Sequence, residues 1–344
     1  MKSVNLKNDT EKESFSKKLI KSFESSNVNV LLGSGFSMPL LSVLGAIEES
    51  LTLAKRKNDK KEIFRIEKEF FNSCIMPLAD YNKVKATNAL RNRFIHSLID
   101  IISVRHSSVL HKILNIFTTN YDNLIEMSLE DKNVDYYDGF AGRINSIFST
   151  NNYGKIVSKQ SIVNNKTSEL VSVNLIKLHG SLYWCRQEEK IIFNDFKGRI
   201  SQLEKLQSNS AKFVRFYEKE FLIVNPNEDK YNLTVLNSTY YDQIRLLSNE
   251  LDKSNTLLIV FGFSFNDEHL KTVVDRALEN PTLSLVVFAF DESALKSLEK
   301  KFGHTNNVTI LYMATVDKED NSNYEPLTLE VVGSYLEGLY NAIK

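Results

Sequence analysis

The chain has 344 residues, of which 42% are hydrophobic and 25% charged, a composition typical of a soluble globular protein with one large or two modest domains. Lys plus Arg and Asp plus Glu number 43 each, so no global basic field indicates nucleic acid as the main ligand. The two cysteines, Cys74 and Cys185, exclude a disulfide framework and a paired-cysteine zinc site. The polar N-terminus is unlike a signal peptide and no apolar run reaches membrane-spanning length, so we expect a cytoplasmic protein that binds no membrane.

Short apolar runs rich in Val, Ile, Leu and Phe recur along the chain. Continuous runs of this kind are typical of strands that are covered on both faces of a parallel sheet. The predicted strands are residues 27–32, 113–120, 173–180, 221–225, 256–264, 283–291 and 308–314. Helical patterns follow between the later runs, at residues 238–254, 267–281 and 292–303. This alternation predicts an α/β fold with a doubly wound, mostly parallel, Rossmann-like sheet, but the order of its strands cannot be derived from the sequence.

Two stretches interrupt the alternation within what we expect to be a single domain over residues 1–344. Residues 48–111 have a mostly helical, partly highly charged pattern and predict an inserted helical module between the first two strands. Residues 136–172 are polar and rich in Asn and Ser, which predicts a small excursion or surface loop. The pattern of residues 328–344 predicts one amphipathic C-terminal helix.

The turn after the first strand has the sequence "NVNVLLGSGFSMPLLSVLG", in which an apolar run ends in two glycines and a helical pattern follows. It differs from G-x-G-x-x-G, because the third glycine would fall at Met38, and no lysine stands where a P-loop needs one. Pro39 fits a position close to a helix start, where its missing N–H costs nothing. The turn therefore predicts a nucleotide site without identifying the nucleotide.

Polar residues follow four of the predicted strands, at Gly33–Ser37, Thr118–Asp122, Lys177–Ser181 and Gly262–Asp267. Open α/β sheets bind ligands at the carboxyl ends of their strands, so we expect these four segments to form one site.

The four segments, "LLGSGFS", "FTTNYDNLIE", "IKLHGSL" and "VFGFSFNDEHL", resemble in this order the motifs of the sirtuin-like NAD-binding fold. They are most similar to the zinc-less, sirtuin-like effectors of bacterial anti-phage defence. The resemblance covers about residues 27 to 275, and the remaining predicted strands extend it to about residue 315. Deacylases of this fold carry a four-cysteine zinc module, which two cysteines cannot build, so we expect no zinc and disfavour deacylation.

The resemblance implies roles for individual residues. Asn120 corresponds to the asparagine beside the nicotinamide ribose, Asp122 to the acid close behind it, and His179 to the catalytic histidine. The implied NAD+-binding residues, with the pyrophosphate cradled by the first glycine-rich turn, are Gly33, Ser34, Gly35, Ser37, Thr118, Gly262, Ser264 and, at an adenosine ribose, Asp291.

Several of these residues also have a purely structural interpretation. Asp122 can cap a helix, and Asp267 and Asp291 stand where they would cap the helices that start at Glu268 and Glu292. For Asp267 we favour the helix cap over a ligand contact. For Asp291 the sequence supports the helix cap and the contact with an adenosine ribose equally. The other histidines are expected to be structural; they are His96, His106, His111, His269 and His304.

The favoured function is an NAD+ glycohydrolase that depletes NAD+ during infection. Alternatives are an NAD-dependent deacylase or ADP-ribosyltransferase, or a nuclease or structural subunit of an ATPase complex, for which Glu228 and Lys230 are a weak signal. The resemblance implies a homo-oligomer with a HerA-type hexameric ATPase as partner, or alternatively an Argonaute-type protein. Contact with nucleic acid is then expected only through the partner.

Overall fold

The computed structural model describes residues 1–42, 45–107, 109–163, 165–221, 234–316 and 322–344. The α-helices in these ranges are α1 (Asp9–Ser25), α2 (Gly45–Arg56), α3 (Lys60–Phe70), α4 (Tyr81–Ser103), α5 (Leu124–Asp131), α6 (Lys197–Lys205), α7 (Ser210–Glu220), α8 (Thr234–Leu251), α9 (Glu268–Ala277), α10 (Glu292–Phe302) and α11 (Leu329–Ile343). None of the described helices combines the length and the apolar character that crossing a membrane requires.

The strands of the described ranges form one large sheet and two small antiparallel ones. They are β1 (Lys2–Asn5), β2 (Asn27–Leu32), β3 (Ile113–Thr118), β4 (Tyr136–Tyr137), β5 (Phe140–Ala141), β6 (Ile147–Phe148), β7 (Val157–Gln160), β8 (Thr167–Leu170), β9 (Ser172–Lys177), β10 (Trp184–Gln187), β11 (Lys190–Phe193), β12 (Thr256–Phe261), β13 (Leu283–Phe288), β14 (Val308–Val316) and β15 (Ser322–Glu325).

The large sheet has the strand order β1-β14-β13-β12-β2-β3-β9-β4, with β15 added to β14. All neighbours along the order are parallel, and only β15 is antiparallel. The predicted α/β fold with a mostly parallel, doubly wound sheet is therefore confirmed. Strands β12, β2, β3 and β9 are neighbours, so the four polar segments of the sequence leave the sheet side by side.

The central strands are mostly apolar because helices cover both faces of the sheet. The exceptions are Asn29, Asn115 and Asn174, which are buried and hydrogen-bond to one another across β2, β3 and β9. Val28 and Val30 of β2 face a cluster that includes Phe23 of α1, Phe94 of α4 and side chains of α11. Leu31 faces the opposite cluster, which α8, α9 and α10 complete. Alternate residues of one strand thus contribute to two separate cores.

The predicted helical module at residues 48–111 comprises α2, α3, a π-helical turn, a 3-10 turn and α4. Its parts pack differently. Phe94 and Leu98 of α4 lie in the main core beside β2 and α11. Phe70 of α3 lies in a third cluster, with its ring 5.5 Å from the ring of Tyr121. The last helix of this segment is therefore part of the body of the fold, whereas α3 packs on the loop after β3.

The polar stretch at residues 136–172 contains the short strands β4 to β8 and the first residue of β9, and β7 and β8 form a separate hairpin. The sequence gives little indication of β1, where Val4 is the one buried residue of the strand. Of the strand predicted at residues 221–225, Phe221 instead ends α7, and residues 222–225 lie outside the described residues, as do Glu228 and Lys230.

Candidate functional site

The turn after β2 forms a four-residue 3-10 helix, Ser34–Ser37, with Gly33 before it. The α-helix expected directly behind this turn begins only at Gly45, and Pro39 lies in a turn between the two. The α-helix α2 therefore does not start at the turn, and a ligand bound here would meet individual amide and hydroxyl groups instead of the start of a long helix.

The glycines of the first and last motifs contact each other. A Cβ on Gly33 would lie 2.4 Å from the carbonyl oxygen of Gly262, and one on Gly35 would lie 2.7 Å from the Gly262 Cα. Gly262 itself has a φ of +67°, a conformation that favours glycine. Glycine is thus required at these three positions because the two backbone turns pack directly against each other. This requirement is separate from the predicted one, in which a cofactor approaches the backbone.

Two of the backbone amides expected to meet a pyrophosphate already have partners. The Gly33 N–H donates to the Phe261 carbonyl and the Gly35 N–H to the Gly262 carbonyl, each at 3.0 Å. In the described ranges the Ser34 N–H has no acceptor, and the residue is half-buried. Of this turn, the Ser34 amide is therefore a donor that remains for a phosphate.

A buried chain of hydrogen bonds connects the turn after β2 with the loop after β3. Asn120 Nδ2 donates to the Gly33 carbonyl at 2.9 Å and to Ser37 Oγ at 2.8 Å. Ser37 Oγ in turn donates to Asp122 Oδ2 at 2.5 Å. The Gly33 carbonyl can only accept, so it fixes which end of the Asn120 amide faces it. Asn120 Oδ1 has no hydrogen bond to the described chain and is the acceptor left for a ligand or water.

Thr118 and Asp122 support this chain from the β3 side. Thr118 Oγ1 accepts a hydrogen bond from the backbone N–H of Asn120 at 3.0 Å and donates one to the Leu32 carbonyl at 2.9 Å. Asp122 Oδ1 accepts from the Leu124 N–H at 3.0 Å, at the start of α5. The N-cap residue of α5 is Asn123, which makes no side-chain cap hydrogen bond. Asp122, one residue earlier, instead binds the first N–H of the helix and, through Ser37, also orients Asn120.

A buried ion pair lies under the same loop. It joins Lys177, the first residue of the third predicted segment, to Glu126, for which the sequence predicted no role in the site. Lys177, 2% exposed, pairs with Glu126 at 2.8 Å and donates a hydrogen bond to the Asp122 carbonyl. Burial raises the pKa of Glu126, while the Lys177 charge opposes that rise. One sequence signal could have identified the pair, namely a lysine at the end of an otherwise apolar strand.

His179 follows β9 and is largely buried, with its side chain 12% exposed. Its Nε2 lies 3.1 Å from Asp267 Oδ2, though without the alignment of a hydrogen bond. Asp267 Oδ1 accepts from the His269 and Leu270 amides at 3.0 and 3.1 Å. The predicted helix cap at Asp267 is therefore confirmed, and its contact with His179 is an addition that the sequence did not indicate.

The remaining predicted residues lie at the surface. Ser264 is exposed, and its carbonyl accepts from Lys301 Nζ at 2.7 Å. Asp291 is exposed and caps α10 through the Ala294 N–H at 2.8 Å. The cap predicted for Asp291 is confirmed, whereas its contact with an adenosine ribose stays a prediction.

Cys74 and Cys185 are both buried free thiols. Across the described residues, no group of three or more His, Cys, Asp or Glu side chains is arranged to hold a metal ion.

A family model described as the SIR2-like domain matches residues 114–311, which is more than half of the chain. The matched range contains Asn120, Asp122, His179 and Gly262, whereas the Gly33–Ser37 turn precedes it. A search of the curated proteins found no match.

Proposed function

Because the chain belongs to the SIR2-like domain family, we propose that it is an enzyme that hydrolyses NAD+ to nicotinamide and ADP-ribose. SIR2-like domains are usually NAD-using enzymes, so an NAD-related function follows from the family. The finer assignment, hydrolysis, is a proposal based on the geometry of Asn120 and on the chemistry that the site can perform.

The observation that carries the proposal is the hydrogen-bonded chain Asn120–Ser37–Asp122. It holds one end of the Asn120 amide inside the protein and leaves Oδ1 as an acceptor at the carboxyl edge of the sheet. Such an oxygen can hold a ribose hydroxyl or the attacking water without placing another negative charge beside the cationic nicotinamide group.

Cleavage of the nicotinamide–ribose bond needs little help from an acid, because nicotinamide leaves as a neutral molecule from a cationic group. Positive charge develops at the ribose C1′ as the bond to nicotinamide breaks and its electron pair leaves with the ring nitrogen. Water then forms the new bond to C1′ and loses a proton. We assign the acceptance of this proton to His179, because histidine is the side chain that most often serves as a general base.

Hydrolysis is favoured over deacylation because the chain has only two cysteines, both buried, and cannot form the four-cysteine zinc module of the deacylases. Ser34 and Ser264 are assigned to the cofactor, with the Ser34 amide as a phosphate donor. The Asp291 carboxylate is assigned to the adenosine ribose.

We further propose that the enzyme is an effector of anti-phage defence that depletes NAD+ in infected cells. The support is the resemblance of its four motifs to the zinc-less, sirtuin-like effectors. Because NAD+ loss harms the cell, the activity requires control, and we expect a homo-oligomer with a HerA-type ATPase as partner, or an Argonaute-type protein instead. Co-purification of the natively expressed chain would show which partner, if any, accompanies it.

The decisive experiment is incubation of the purified protein with NAD+, alone and with its co-purified partner, followed by separation of the products. Equal amounts of nicotinamide and ADP-ribose are expected, with no acyl-ADP-ribose when an acylated peptide is added and no ADP-ribose attached to protein. Asn120→Ala should lower turnover by about 10²-fold or more, by comparison with the loss of other positioned catalytic groups. Wild-type turnover in a folded Asn120→Ala variant, or acyl-ADP-ribose as the main product, would refute the proposal.

A further inference from the structure

The carboxylate of Asp267 lies against the imidazole of His179 although the two residues follow strands that are not neighbours. His179 follows β9 and Asp267 follows β12, and β3 and β2 lie between these strands. The loops after β12 and β9 therefore meet across the two intervening strands, where Asp267 Oδ2 lies 3.1 Å from His179 Nε2.

The loop after β12 is held in place from its other side. Phe265 is buried with a φ of +58°, and its ring packs 5.0 Å from the ring of Phe302 of α10. Lys301 donates to the Ser264 carbonyl at 2.7 Å and to Asn266 Oδ1 at 2.8 Å. These contacts keep the loop fixed on α10.

The carboxylate of Asp267 is itself oriented. Its Oδ1 accepts the two backbone amides at the start of α9, so Oδ2 is the oxygen left to face His179. In the described ranges no hydrogen bond reaches His179 Nδ1. The two imidazole nitrogens are thus in different surroundings: Nε2 lies beside a carboxylate, and Nδ1 has no hydrogen-bond partner among the described residues.

We propose that Asp267 is a positioning residue that accepts the Nε2 proton of His179 and thereby leaves Nδ1 unprotonated as the base. This inference rests on the proposed NAD+ hydrolysis and adds how its base is prepared. When water bonds to C1′ and the bond to nicotinamide breaks, the water proton moves to Nδ1, and the Asp267 carboxylate stabilises the resulting imidazolium. The Nε2–Oδ2 contact is not yet aligned as a hydrogen bond, and catalytic hydrogen bonds often align only when substrate binds.

Two substitutions at Asp267 separate this role from the helix cap. In Asp267→Asn the side-chain oxygen still caps α9, since Asn and Asp are equivalent caps. Its amide N–H then faces Nε2 and donates to it, which forces the proton onto Nδ1 and removes the base. Asp267→Ser also preserves a cap, and its shorter side chain has no second polar atom to place against Nε2. We therefore expect kcat to fall by about 10²–10⁴-fold in Asp267→Asn, with KM little changed, and to fall less in Asp267→Ser. Asp80→Asn makes the same change at the cap of α4 and should leave kcat unchanged.

The second readout does not depend on NAD+ hydrolysis. In a nitrogen-15 histidine spectrum, with the His179 signals assigned from their loss in His179→Gln, we expect an Nε2–H tautomer in the wild type and an Nδ1–H tautomer in Asp267→Asn. The same tautomer in both proteins, or a kcat for Asp267→Asn equal to or above that of the wild type, would overturn the proposal. If the wild type does not hydrolyse NAD+, the proposed function fails, and the spectrum still decides whether Asp267 sets the tautomer.

Discussion

Gly35 and Gly262 lie so close that a Cβ on either residue would come within 2.7 Å of the Cα of the other. The Gly35 N–H also donates to the Gly262 carbonyl at 3.0 Å. This contact joins the turn after β2 to the turn after β12, two neighbouring parallel strands whose loops both border the site.

The first prediction concerns this contact. Gly35→Ala should lower the free energy of unfolding by about 1–3 kcal/mol, because the methyl group meets backbone that cannot rotate away. Urea or thermal unfolding measures the loss. Gly338→Ala in α11 is the matched control, since a Cβ there meets no neighbouring atom, and it should be neutral or stabilising. Undiminished stability in Gly35→Ala would show that the two turns are not packed as described.

A second prediction isolates the phosphate contact from the packing of the glycines. Ser34→Pro removes an N–H that has no acceptor in the part of the chain that the structure describes, at the first residue of the 3-10 helix, where proline is well tolerated. We expect stability close to that of the wild type and a clear loss of NAD+ affinity in calorimetry. Ser34→Ala retains the amide and should lose less affinity. Equal NAD+ affinity in wild type and Ser34→Pro would remove this amide from the site.

The third prediction concerns the buried ion pair under the Asn120 loop. Lys177→Met leaves the Glu126 carboxylate buried without its partner and should destabilise the protein by about 3–5 kcal/mol. Adding Glu126→Leu should recover a large part of this loss. Lys17→Met, which breaks the exposed pair with Glu13, is the control and should change stability little.

The same pair predicts a dependence on pH. Burial raises the pKa of Glu126 in the folded protein, and without Lys177 that rise is larger. The folded state then binds the proton more tightly than the unfolded state, so stability is greatest in acid and is lost as the pH rises through the folded pKa. Denaturant unfolding should therefore show a smaller loss for Lys177→Met in mildly acidic than in mildly alkaline buffer, and a pH-independent loss would contradict this explanation.

The last prediction concerns control by the helical segment between β2 and β3. Phe70 of α3 packs on Tyr121, which lies between Asn120 and Asp122, so a movement of α3 would reach the site directly. The isolated chain is expected to hydrolyse NAD+ slowly and to become faster with its partner. Hydrogen exchange should then change in α2 and α3 and remain slow in α4, whose Phe94 and Leu98 belong to the main core. Full activity of the isolated chain, with no difference in hydrogen exchange in α2 and α3, would show that the segment has a structural role and does not control the activity.

The sequence by itself determined the elements whose cause is local. Apolar runs in the sequence reveal β2, β3, β9, β12, β13 and β14, because both faces of the sheet are covered. The caps at Asp267 and Asp291 can also be predicted, because a cap depends on the three residues that follow it. The order of the four motifs was enough to indicate the family.

Tertiary structure alone decided the order β12-β2-β3-β9, and with it the Gly35–Gly262 contact, the Ser37–Asp122 hydrogen bond and the approach of Asp267 to His179. It also decided that β1, with Val4 as its single buried side chain, joins the sheet beside β14. These contacts join residues far apart in the chain, and which of them meet depends on how strands pair across the whole sheet, a property that no local pattern of residues encodes.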